Sequence, residues 1–310
     1  MEFGLPFDNG RTLVRRVTNE WGEITDEKTE IRTRVVLDGR NLVEARVTGV
    51  GLRYDAYMNG VRVARSEKKG VSLNRRDTTI HLSAYIHRSS LLEWWRTHVN
   101  NGERTRLVIR PHVTVDLPHV DLSAFDFAGL GVPPARPPFS SISVETPRYV
   151  TEFETGILDS IRTDKRMTST AFGRTVFAVD GIDARWGETD EDETTIELRV
   201  KVENPNPFAV GFEDIGYTVR MNGVRVGEGD ADDFRLSARE KKVVSATAVL
   251  RNERMADWWT THLRRRETTE TEISLQGTVR ALGFTRRLDG RSYTDSFETD
   301  LFGGGGLLDS

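Results

Sequence analysis

The chain has 310 residues, about twice the size of a typical domain, so two domains are the first expectation. Apolar residues make up 37% and charged residues 30%, enough to bury cores beneath a heavily charged surface. A net charge of -4, from 44 basic and 48 acidic residues, lacks the large positive field of a sequence-independent nucleic-acid binder. Zero cysteines exclude disulfides, thiolate metal sites and a cysteine nucleophile.

No segment approaches the roughly 20 apolar residues that span a bilayer, and MEFGLPFDNG lacks a basic start followed by an apolar run. A cytoplasmic location is the expectation. Trp21–Gly22–Glu23 and an acidic, Thr-containing stretch lead into Ile31, Thr33, Val35 and Leu37, whose spacing predicts a half-buried strand. Next, Met58–Asn59–Gly60–Val61 places Asn-Gly between alternating runs. Both residues tolerate the positive φ of a type I′ hairpin turn. Leu91, Trp94, Trp95, His98 and Val99 then line one face of a helix, with Ser89 or Ser90 as the expected N-cap. Residues 118–140 are rich in Pro, Gly and Phe without either period and read as an inserted loop.

The same succession returns after a polar linker at Ser160–Thr170. Trp186–Gly187–Glu188 repeats the first anchor, and Met221–Asn222–Gly223–Val224–Arg225–Val226 repeats the hairpin of residues 58–63 without change. Met255, Trp258, Trp259, His262 and Leu263 repeat the helix face, with Asn252 as the expected N-cap and Arg264–Arg266 at the helix end. Ile196, Leu198, Val200 and Val202 form the alternating strand of this copy. Further strands are expected at 242–250 (Val244, Ala246, Ala248, Leu250) and 271–281 (Ile273, Leu275, Val279, Ala281). A repeat on this scale means two copies of one domain, placed at 10–158 and 172–302, before a Gly-rich tail at 303–310 that reads as flexible. Roughly seven strands per copy point to an antiparallel β-sandwich of fibronectin or immunoglobulin type with one short amphipathic helix.

After its first strand the second copy reads Asn204–Pro205–Asn206–Pro207–Phe208. Two prolines remove ladder donors, so the strand should leave its sheet here, and asparagine amides can cap the freed backbone groups. This motif, followed by a Tyr-containing strand and the Asn-Gly hairpin, resembles the water stress and hypersensitive response (WHy) domain of the late embryogenesis abundant (LEA) type 2 family. In the first copy the motif becomes Gly39–Arg40–Asn41, and only Asn41 survives. The resemblance implies a fibronectin-like sandwich that acts in tolerance of desiccation or osmotic stress and catalyses no defined reaction. It also implies that Asn204, Pro205, Asn206, Pro207 and Asn41 serve as a structural motif.

The remaining candidates read as structural. His98 and His262 occupy equivalent places on apolar helix faces, where packing and hydrogen bonding are expected rather than metal binding. His112 and His119 match no common ligand spacing. The run Glu188–Glu193 lacks the spaced ligands and central glycine of a helix-flanked calcium loop and reads as a solvated turn. No Gly-rich phosphate loop follows a strand, and no nucleophile elbow is present.

The expectation is therefore a non-enzymatic protein without cofactor, metal, nucleic acid or small-molecule substrate, making weak contacts with client proteins or a membrane surface. The alternative is an immunoglobulin-like interaction module that binds a specific protein or anionic surface through exposed edges or the 118–140 loop. An enzyme would require a deep pocket with converging charged groups, which is not expected.

Overall fold

A computed structural model describes residues 14–37, 49–72, 77–116, 141–145, 149–171, 174–288 and 291–302. Asn41, the 118–140 loop and the 303–310 tail lie outside the described residues. The chain is mainly antiparallel β-structure arranged as sandwiches, and contacts divide it into two units.

The first unit takes in the described residues up to Leu91, those of 106–153, and Asp300–Phe302. One of its sheets has the order β1-β2-β5, from β1 (Val14–Ile24), β2 (Lys28–Leu37) and β5 (Thr78–His87). The other has the order β4-β3-β6-β7, from β3 (Gly49–Met58), β4 (Val61–Val71), β6 (Arg104–Asp116) and β7 (Ser141–Glu145), with β8 (Tyr149–Glu154) also paired to β6. Alternation decides which face is dry: Ile31, Val35 and Leu37 are buried, together with Ile80, Leu82, Ala84 and Ile86 on β5. Buried Glu30 accepts hydrogen bonds from the Glu23 N–H, the Ser83 hydroxyl and Arg32, which together hold its carboxyl down at about 2. Its carboxylate lies over Gly22, and a Cβ there would overlap it.

The second unit contains residues 92–105 and 154–299. Its strands are β9 (Met167–Ala171), β10 (Arg174–Thr189), β11 (Glu193–Glu203), β12 (Val210–Met221), β13 (Val224–Ala231), β14 (Phe234–Leu236), β15 (Lys241–Arg251), β16 (Thr268–Ala281), β17 (Phe284–Arg287) and β18 (Arg291–Glu298). The order is β17-β16-β12-β13-β15-β11-β10-β9, with β14 on β12 and β18 on β16. The β13–β15 junction is a single residue pair, Gly227 opposite Leu250, so the sheet folds over on itself there and encloses a core. Beyond roughly seven sandwich strands, this unit adds short β9, β14 and β17, which alternation alone did not separate from loops.

Registers coincide between the two stretches of sequence. Trp21 lies opposite Ile31 and Trp186 opposite Ile196, each followed by a register shift. Met58 lies opposite Val61 and Met221 opposite Val224. Each stretch also carries a 13-residue helix: α1 (Arg88–Asn100), which passes from the first unit into the second at Leu92, and α3 (Asn252–Arg264). A third helix, α2 (Ile157–Ile161), is too short to show a period in sequence.

Both predicted apolar helix faces are buried. The predicted caps are not caps, however. The first helix begins at Arg88, which puts Ser89 and Ser90 inside its first turn, and Arg251 occupies the N-cap of α3 without a side-chain bond. Asn252 is instead fully buried and bonds sideways, donating to the carbonyls of Asp190 and Glu191 and accepting from the Thr194 hydroxyl. A buried amide satisfied by neighbouring strands does not need to serve as a cap. Leu275, expected on the dry face of its strand, is 40% exposed.

Tyr217 shows how the sheet closes. Its hydroxyl donates to the Thr247 carbonyl at 2.5 Å and accepts from the Val249 N–H at 3.2 Å, satisfying β15 groups near the place where β13 parts from it. To get there the ring crosses Gly229, where a Cβ would overlap the phenol. In the first unit Ser66 stands opposite Tyr54, and the Ser66 hydroxyl donates to the Ser83 carbonyl at 2.8 Å, while Tyr54 bonds Thr33. A small hydroxyl thus takes over where the ring does not cross. Gly229→Ala should displace Tyr217 and destabilise the protein by about 1–3 kcal/mol. The check is chemical denaturation of the full chain, and a change within experimental error would rule the bridge out.

Candidate functional site

Residues 204–208 leave β11 at Glu203 and turn inward. Asn204 is fully buried, and its amide donates to the carbonyls of Phe208 and Ser237 at 2.7 Å each. Its Oδ1 accepts from the Asn206 backbone N–H at 3.0 Å, an Asx turn that forms the bend. Asn206 donates to the carbonyls of Val176 at 2.8 Å and Thr175 at 3.2 Å on β10. The Asn204 N–H itself donates to the Glu240 carbonyl. Pro205 and Pro207 are exposed and need no donor there. The motif is therefore a latch, in which two amides hold three chain segments together where no ladder can form. It presents no reactive group.

Asn222 does more than turn the chain. With φ of 53° at Asn222 and 81° at Gly223 the pair makes the turn, as do Asn59 and Gly60 at 50° and 88°. The Asn222 Oδ1 also accepts from the Glu270 N–H at 2.9 Å and its Nδ2 donates to the Thr268 carbonyl at 2.9 Å, stapling the hairpin to β16. Asn59 accepts from the Arg106 N–H in the same way. This explains why an amide, with both donor and acceptor, stands at the turn.

The two helix histidines sit in matching chains of hydrogen bonds. Thr155 donates its only hydroxyl proton to Glu103 at 2.7 Å, so His98 Nε2, 2.9 Å away, must carry the proton that Thr155 accepts. His98 Nδ1 then accepts from the Thr105 hydroxyl at 2.8 Å, and Thr105 accepts from the Trp94 indole N–H at 2.8 Å. Trp258, Thr269, His262, Thr299 and Glu267 repeat the order, with separations of 2.9, 2.8, 2.8 and 3.1 Å. Glu103 additionally receives the N–H groups of Ile157 and Leu158, which open α2, and the Trp186 indole. Burial pushes the Glu103 carboxyl up against the opposing pull of these donors.

A carboxylate–threonine–histidine chain could suggest catalysis. His98 is fully buried and His262 nearly so, which closes both to any substrate. Burial drives His98 down to about 3 and His262 down to about 4. Around them the rings of Trp94 and Trp259 meet edge-on at 5.3 Å, those of Trp95 and Trp258 at 6.0 Å, and those of Trp95 and Trp186 at 5.9 Å. Sequence periodicity located the faces. The threonine and glutamate partners were not found, although Glu-x-Thr or Glu-Thr-Thr after each helix was a readable signal.

The acidic run forms a turn between β10 and β11, with Asp190 accepting from the N–H groups of Asp192 and Glu193 at 2.8 Å each. Among the described residues, no group of three or more His, Asp or Glu side chains is placed to hold a metal ion, and no helix is long and apolar enough to cross a membrane.

A cavity of about 350 Å³ opens beside the latch. Val176, Phe208, Val279, Ala281 and Leu288 line it, Asn206 contributes to its wall, and Leu282, Phe284 and Arg286 stand exposed at its mouth. Among the described residues its walls are mainly apolar. No local pattern in the sequence marks it, because the wall residues belong to strands distant in the chain.

Two measurements test these arrangements. Asn204→Ala strands buried carbonyls and should cost about 2–3 kcal/mol in chemical denaturation, whereas Pro205→Ala should change stability by less than about 1 kcal/mol. Because both buried histidines resist protonation while unfolded histidines charge near 6.5, stability is complete above pH 6.5 and falls as pH drops toward 4. The slope should approach about 1.4 kcal/mol per pH unit for each histidine. Thermal melting between pH 6.5 and 4.5 should show this slope, halved in His98→Gln or His262→Gln, and an unchanged slope would refute it.

No curated protein matches the chain at a significant level. Among solved structures, a protein from Archaeoglobus fulgidus is 22% identical over 40% of this chain and 98% of its own, with a TM-score of 0.36. A solution structure from Arabidopsis thaliana is 14% identical over 40-odd per cent, 44% of this chain and 83% of its own, with a TM-score of 0.30. A Bacteroides uniformis beta-glucuronidase aligns with 87% of this chain but 26% of its own, at 13% identity and a TM-score of 0.25. Residues 199–291, which hold the Asn204–Asn206 latch, Tyr217 and the Asn222 staple, match the family model LEA_2, Late embryogenesis abundant protein.

Proposed function

We propose that the chain is a non-enzymatic water-stress protein of LEA type 2 kind, made of two tandem copies of one WHy-like sandwich at 10–158 and 172–302 and acting in the cytoplasm. It protects cell components through weak hydration and shielding contacts with client proteins or a membrane surface. The match of residues 199–291 to the LEA_2 family carries the reading. Two structural features support it. The polar groups of the motif are consumed by internal bonds, which leaves them no chemistry to perform, and the equivalent registers and His–Thr–Glu chains favour a duplication.

The proposed mechanism is physical. A charged sandwich whose latch and helix-face polar groups are bonded internally stays folded as water activity falls and separates partly unfolded clients by steric and hydration forces. A labile enzyme dried and rehydrated with the protein should recover several-fold more activity than with an equal mass of an inert globular protein. Equal recovery would refute the protective role.

A further inference from the structure

The apolar cavity of the second unit has features that shielding contacts do not require. Its walls continue the hydrophobic core: Val279 belongs to that core, and Val176, Phe208, Ala281 and Leu288 pack against it. The hairpin between β16 and β17 meanwhile holds Leu282 67% exposed and Phe284 71% exposed at the opening. Exposing two large apolar side chains to water beside an apolar cavity is unfavourable, and a ligand that covers both removes the cost.

Among the described residues, the lining includes one charged side chain, Arg286, and no carboxylate. Arg286 is exposed, so its guanidinium lies at the mouth, where its five donors allow it to receive an anion alongside any protein partner. A volume of about 350 Å³ suits a small ligand with a slender apolar body, roughly ten methylenes at interior packing density.

We propose that this cavity binds a single-chain aliphatic carboxylate, with the chain against Val279 and Phe208, Phe284 folded over it, and the carboxylate on Arg286. The Asn206 amide, fixed on the carbonyls of Thr175 and Val176, holds β10 at the cavity wall, which gives the latch a part in shaping the site. This inference goes beyond the stress-protection reading and does not rest on it.

Dodecanoate below its micelle concentration, titrated into the full-length protein by calorimetry, should occupy one saturable site per chain. Arg286→Gln should weaken dodecanoate at least tenfold and leave dodecanol within twofold, whereas Phe284→Ser should weaken both. Both positions are exposed, and unchanged thermal melting verifies the fold of each variant. No saturable binding, or affinities insensitive to both substitutions, would overturn the proposal. So would association with phosphatidylglycerol vesicles without binding of monomeric dodecanoate, which would mean that the hairpin tip docks on a bilayer, or dimerisation of the free protein through this face.

Discussion

The second unit depends on satisfying polar atoms that its own core brings in. With a modest apolar content, the core relies on tryptophan and histidine, large side chains that each carry a nitrogen into a dry region. An unpaired buried donor costs about 1–3 kcal/mol, and the nitrogens of Trp94, Trp258, His98 and His262 avoid that cost because their partners arrive with them. Thr105 and Thr269 each serve an indole and an imidazole at once, while Glu103 and Glu267 terminate the chains beyond Thr155 and Thr299. The direction of each proton then follows by elimination, which leaves the histidines neutral. The residues that close each chain, Glu103 and Glu267, adopt φ of 67° and 60°, the geometry that turns the helix end back toward its own strand.

The same requirement governs places where the sheet has no ladder to offer. At the end of β11, Asn204 and Asn206 replace ladder bonds with amide bonds to three segments. At the parting of β13 and β15, Tyr217 reaches across Gly229 to supply both a donor and an acceptor. At the hairpin, Asn222 reaches β16. Each device uses a side chain with both donor and acceptor capacity, because the groups left open come as a carbonyl beside an N–H. All of these residues lie in the segment that matches LEA_2, and each of them satisfies backbone groups.

The cavity beside the latch arises from the same bend. Residues 204–208 turn away from β11 beside the cavity, and the short hairpin of β16 and β17 stands next to them with Leu282 and Phe284 exposed. A local solution for backbone groups thus adjoins an apolar cavity.

Alternation of period two located the long strands, helical spacing located both tryptophan faces, and Asn-Gly located the hairpins, since each depends on neighbours a few residues apart. The sequence also displayed its own repetition, and therefore the likeness of the two registers. What it did not disclose were relations across the fold: Asn252 bonding sideways to strands instead of capping α3, glutamates receiving threonine hydroxyls, a tyrosine crossing a glycine, and wall residues from β10, β16 and the latch meeting around a cavity. The sequence by itself determined the long strands, both helices that carry the tryptophan pairs and most of their dry faces, because periodicity is a local property that short β9, β14, β17 and α2 do not display. Only the tertiary structure decided which buried polar atoms meet and where the core stays open, because those outcomes depend on distances between segments far apart in the chain.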